Sequence, residues 1–83
     1  MKYALDACAM IAYLRGESGS ADVAALLTDP GSTCYAHTIN LLEVYYDFIR
    51  RYDERAARLA LATLAADGVV ERRLFIGREP GDR

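Results

Sequence analysis

An 83-residue chain has room for one domain, and at this size folding buries only a little over ~60% of the unfolded surface. Its 10 basic and 12 acidic side chains, net −2, exclude a protein that holds nucleic acid through overall charge alone. No apolar run approaches the ~20 residues of a membrane span, so no membrane partner is expected. The hydrophobic content of 53% is high for so short a chain, which points to apolar surface facing another chain.

The chain opens on Lys2-Tyr3-Ala4-Leu5, a short run suited to a buried strand and ended by Asp6. This opening lacks the apolar length and cleavage site of a signal peptide, so Cys8 and Cys34 read as reduced thiols in a cytoplasmic protein. Ala7 to Leu14 follows without a spacer as a helix that stops at Arg15-Gly16. Glu17-Ser18-Gly19-Ser20 is a loop offering two serine N-caps. Residues 21 to 28 put Val23, Leu26 and Leu27 on one helical face, and Asp29-Pro30-Gly31-Ser32 ends that helix.

Thr33-Cys34-Tyr35-Ala36 reads as a second strand. A longer helix then begins near Thr38 to Asn40 and runs to about Tyr52. Its apolar positions (Leu41, Leu42, Val44, Tyr45, Tyr46, Phe48, Ile49) nearly encircle it, which predicts burial on several sides. Asp53 is placed to cap a fourth helix, Glu54 to Ala66, which closes on Asp67-Gly68, and Val69-Val70 starts a third strand. The order β-α-α-β-α-α-β predicts an α/β domain with a parallel sheet, helices on its faces, and a ligand site outside the carboxyl ends of the strands. Residues 71–83 form an atypical tail without periodicity, and the whole chain, 1–83, is one domain.

Asp6 stands at one such strand end, and Glu43, 37 positions on, lies early in the helix after the second strand. Two converging carboxylates suit Mg²⁺ or Mn²⁺, hard cations that take oxygen ligands and keep several waters. The same residues also read as caps: Asp6 for the helix at Ala7, and Asn40-Leu41-Leu42-Glu43 as a capping-box variant. His37 lacks a nucleophilic partner at a convincing spacing and reads as a polar loop or cap residue. Arg51, Arg55 and Arg58 read as a solvated face with a Glu54–Arg58 pair, and Tyr45, Tyr46 and Tyr52 as core or interface packing.

Tyr3-Ala4-Leu5-Asp6-Ala7-Cys8-Ala9-Met10-Ile11-Ala12-Tyr13-Leu14 resembles the opening of PIN-domain proteins of the VapC toxin type. Arg15-Gly16-Glu17-Ser18-Gly19 is similar to that family's short basic connector. Thr38-Ile39-Asn40-Leu41-Leu42-Glu43-Val44-Tyr45-Tyr46 resembles its second signature, a helix carrying the second acid. The resemblance covers residues 2 to about 70. It implies a Mg²⁺-dependent endoribonuclease, with Asp6 and Glu43 as catalytic metal ligands, RNA as substrate and an antitoxin protein as partner. Cys8 stands where the family often has Ser or Thr, and Cys8, Thr38 and Asn40 are candidate accessory residues.

The family also carries a third aspartate and often a fourth acid, which no segment here matches. The expectation is therefore an incomplete PIN-like domain, a short parallel sheet flanked by about four helices, with weak metal binding and impaired cleavage. The alternative is a non-catalytic module for oligomerisation or antitoxin binding. A homodimer or higher oligomer is expected to bury the aromatic face of the long helix together with Leu74-Phe75-Ile76. Glu79 and Asp82 are the only tail acids that a partner chain would contribute.

Overall fold

The computed structural model describes residues 1–73. Seven elements follow in chain order: β1 (Lys2–Ala4), α1 (Ala7–Arg15), α2 (Ser20–Thr28), β2 (Thr33–His37), α3 (Thr38–Arg51), α4 (Glu54–Ala66) and β3 (Val69–Arg72). The strands form one parallel sheet in the order β1-β2-β3. Lys2, Tyr3 and Ala4 pair with Thr33, Cys34 and Tyr35, and Cys34 through His37 pair with Val69 through Arg72. The α/β class, the seven elements and the parallel pairing all follow the expectation from the sequence.

The elements end where local chemistry ends them. Asp6 is extended (φ −85°, ψ 172°), and its carboxylate accepts from the Ala9 amide at 2.8 Å, capping α1. Gly16 closes α1 in the left-handed conformation that glycine adopts without steric penalty (φ 65°). The loop serines do not cap α2. Gly19 takes that position at φ 92°, which leaves its helix end without a side-chain cap. After α2, Asp29 accepts from the Gly31 amide and the Ser32 hydroxyl, a turn held by its own side chain. The Ser32 bond first, then Gly31, holds the Asp29 carboxyl below the usual carboxylate range. Asp53 caps α4 by accepting from the Ala56 amide at 2.8 Å.

One core joins all four helices to the sheet. Met10, Val23, Val44, Phe48, Ala57, Ala60 and Leu64 from the helices meet Leu5, Cys34, Ala36 and Val69 from the strands and the residue that follows β1. Burial pushes the Cys34 thiol pKa up, so this cysteine is a small core residue rather than a reactive one. Tyr13 ties the far end together: its hydroxyl donates to Asp67 at 2.6 Å. That bond is the main reason its own pKa is raised, with burial and the carboxylate charge adding to it.

Two expectations are corrected. The strand residues that enter the core are Tyr3, Cys34, Ala36 and Val69, so the helices lie on one face of the sheet instead of both. Successive crossovers that move the same way across a sheet put their helices on the same side. Nor is α3 buried all round: only Val44 and Phe48 are buried, while Ile39, Leu42 and Tyr46 are about half exposed. Apolar residues around a helix show that its faces avoid water, and do not identify what covers each. The interface expected at Leu74-Phe75-Ile76, and the tail acids Glu79 and Asp82, lie outside the described residues.

Core and surface should separate cleanly on mutation. Met10 is fully buried, so Met10→Ala is expected to cost about 2–5 kcal/mol, a large part of the stability of so small a domain. Leu59, 65% exposed, should tolerate Leu59→Ala within about 0.5 kcal/mol. Urea unfolding followed by circular dichroism measures both.

Candidate active site

Both β1 and β2 hand over to a helix almost at once. Only Leu5 and Asp6 separate β1 from α1, and His37 passes directly into Thr38 of α3. The register that pairs Ala4 with Tyr35 carries Asp6 to the level of His37, and the Leu5 amide donates to the Tyr35 carbonyl at 2.7 Å on the way. The first turns of α1 and α3 therefore start side by side at the carboxyl edge of the sheet. Helix N-termini present unpaired N–H groups and positive dipole ends, a setting that favours anions and the carboxylates that hold cations.

Glu43 is the sixth residue of α3 and is exposed. It lines a cavity of about 290 Å³ with Ala7, Cys8 and Ile11 of α1 and with Tyr46, Asp47 and Arg50 of its own helix. The second acid thus faces the turn that Asp6 caps. Cys8 is exposed at the rim of the same cavity, so of the accessory residues it alone shares this space with Glu43.

The other accessory residues point to different roles. The Thr38 hydroxyl donates to Glu71 Oε2 at 2.8 Å, which fastens the start of α3 to β3 and engages Thr38 away from Asp6. Asn40 is the third residue of α3, and no capping box forms, because His37 occupies the N-cap position without a side-chain capping bond. That placement removes the cap reading of Glu43 and leaves its carboxylate without a structural task in the helix end. His37 is a cap by position only.

Glu71 reads from the sequence as part of a featureless tail, yet it sits on β3. It does not complete an acidic cluster: β3 is two strands from β1, about 10 Å at the usual spacing between strands. Among the described residues no three His, Cys, Asp or Glu side chains gather closely enough to hold a metal ion together.

Asp47 and Arg50 also line the cavity beside Glu43, although neither stands out in the sequence. Glu43 and Asp47 stand four apart on α3, the spacing that puts two side chains on one helical face, and that signal was available. Asp47 accepts from Arg51 at 2.9 Å and lies 3.9 Å from Arg50, so its charge is compensated within its own helix. The expected Glu54–Arg58 pair forms at 3.0 Å. Tyr45 packs against the core and donates to Glu54, whereas Tyr46 and Tyr52 are both 54% exposed.

The donor set suits one kind of cation. Only Oδ1 of Asp6 is engaged, at Ala9, so among the described residues its second oxygen remains for a ligand. Two carboxylates with water access fit Mg²⁺ or Mn²⁺ that retains most of its waters, and do not fit a dehydrated cage. The thiol of Cys8 is a soft donor and a poor ligand for such ions. Comparison with family models, with curated proteins and with solved structures returned no match.

The cap and the charge of Asp6 are separable. Asp6→Ala removes the bond to Ala9 and should cost about 1 kcal/mol of stability. Asp6→Asn caps as well as aspartate does and should stay within about 0.5 kcal/mol of the parent. Denaturant unfolding of the two variants checks this.

Proposed function

We propose that this chain carries a site for metal-dependent cleavage of RNA phosphodiesters, built on Asp6 and Glu43. Within that class, the particular reading is a PIN-like endoribonuclease of the VapC toxin type. The observation that carries it is the pair of nearly spacerless strand–helix junctions, which turn Glu43 toward the N-terminal turn of α1 capped by Asp6. Glu43 has no capping role in α3, and this strengthens its assignment as a ligand.

In this reading Asp6 and Glu43 hold the cation from two helices. The Ala9 amide fixes the Asp6 carboxylate in orientation. A bound Mg²⁺ would supply Lewis acidity to the phosphodiester and lower the pKa of a coordinated water. Arg50, which lines the same cavity and is only loosely paired with Asp47, offers a cation to an entering phosphate.

Two carboxylates provide less ligand charge and fewer fixed positions for an attacking water than three or four would, and positioning is a major part of such catalysis. Weak metal affinity and slow cleavage are the consequence for this polypeptide acting alone. The same feature favours the second reading, a PIN-derived module that assembles with a second copy or an antitoxin. Ile39, Leu42 and Tyr46, exposed on one face of α3 at i, i+3 and i+7, are the surface for that assembly. No helix among the described residues is long and apolar enough to cross a membrane.

Purified protein incubated with RNA in Mg²⁺ or Mn²⁺ decides between the two. The enzyme reading predicts slow cleavage that EDTA stops and that Asp6→Asn and Glu43→Gln each reduce at least ten-fold, about 1.4 kcal/mol of transition-state stabilisation. Cleavage untouched by either substitution would remove Asp6 and Glu43 from the chemistry, and no cleavage at all would favour the assembly module.

A further inference from the structure

Glu43 stands in the least anchored part of α3. The first buried residue of the helix is Val44, so Thr38 to Glu43 all precede its anchor in the core. Within that stretch Leu41 packs against the core, while Ile39 and Leu42 are about half exposed. His37 makes no side-chain capping bond, so the first turn lacks the contact that usually fixes a helix start. Packing is open there as well. A cavity of about 160 Å³ lies where the start of α3 meets α4 and β3, lined by Leu41, Leu61, Leu64 and Val69, with Thr38 and Glu71 also on its wall. Close packing is what ordinarily holds one element against another, and at this corner it is incomplete. A side-chain bond stands in its place. The Thr38 hydroxyl donates to Glu71 Oε2 at 2.8 Å, and the same oxygen lies 3.5 Å from the Arg72 carbonyl. Glu71 is itself held in register, paired with Ala36 while Arg72 pairs with His37. A carboxylate is favoured at the positive end of a helix. β3 thus gives α3 the acid that Asp6 gives α1.

We propose that Thr38 and Glu71 are positioning residues, a clasp between α3 and β3 that fixes the first turns of α3 and, through them, the Glu43 carboxylate. The link to a cation rests on the reading of Asp6 and Glu43 given above; the clasp itself rests on the bond and the cavity beside it. Neither residue is a ligand in this account, since Thr38 is engaged at Glu71 and β3 lies two strands from β1. The path from the clasp to the site is short. In an α-helix the amides of residues 42 and 43 bond the carbonyls of residues 38 and 39, so a first turn that opens at Thr38 frees the backbone carrying Glu43. Asp6 is oriented locally by the Ala9 amide, whereas Glu43 takes its orientation from where α3 begins. With only two carboxylates to hold a cation, the looser of the two limits the geometry of the pair.

The test makes two measurements on the full chain, neither of which reads cleavage. The first is amide hydrogen exchange at Leu42 and Glu43 in EDTA, which reports opening of the first turn without any metal. The second is Mn²⁺ affinity from water-proton relaxation, at a temperature where circular dichroism shows every variant folded. Thr38→Val removes the donor and keeps the shape; it should speed exchange at both amides and weaken Mn²⁺ binding, each about five-fold. Thr38→Ser keeps the hydroxyl and should restore both to within about two-fold of the parent. Glu71→Ala breaks the same bond from the exposed strand side and should match Thr38→Val, and the double variant should be no worse than either alone. If Thr38→Val fails to fold, Glu71→Ala beside Glu71→Gln, which keeps an acceptor, carries the same comparison. Unchanged exchange in Thr38→Val and Glu71→Ala would overturn the proposal. So would faster exchange with unaltered Mn²⁺ affinity, which would reduce the clasp to a stabilising contact, provided that Glu43→Gln does weaken Mn²⁺ binding. Mn²⁺ affinity that Glu43→Gln leaves unchanged would defeat the metal reading instead, and the exchange rates would still decide the clasp.

Discussion

Everything at the carboxyl edge of the sheet depends on the handover from strand to helix. A strand that passes into a helix with little or no spacer gives its last extended residue two tasks: to end the ladder and to satisfy the first orphan amides of the helix. Asp6 does both, extended in backbone and bonded to Ala9. At the second junction His37 ends β2 and starts α3 without a side-chain cap. Because β1 and β2 are parallel and in register, the two helix starts stand at one level. Glu43, one and a half turns into α3, then faces the first turn of α1 across a shared cavity.

Much of this was legible in the sequence. Asp6 and Asp53 are caps because a short carboxylate before an apolar helical run has few better uses, and both cap as read. Gly16 and the Asp29 turn stopped their helices where the chain said they would. The parallel pairing of residues 2–4 with 33–35 followed from strands alternating with helices. These are local signals, and local signals survive without knowledge of the partners.

The misreadings all concern which side of an element faces what. The apolar ring around α3 reads as burial, but Ile39, Leu42 and Tyr46 meet solvent among the described residues. Asn40 reads as a cap, yet the cap position of α3 falls three residues earlier, at His37, because β2 leads straight into the helix. Glu71 reads as part of a shapeless tail, whereas pairing with Ala36 makes it part of β3. Its tie to Thr38 joins residues 33 positions apart, beyond any spacing rule. The one-sided sheet needed the direction of both crossovers together, which no single segment encodes.

On the function proposed above, Asp6 and Glu43 would hold a common hydrated cation at one edge of the sheet. The most direct measurement is residue-by-residue NMR broadening during titration with Mn²⁺. The amides of Ala7 to Ala9 and those around Glu43 should broaden first and together, and Asp6→Asn should abolish the effect at both places. Broadening confined to one of the two segments, or centred elsewhere on the protein, would contradict the account.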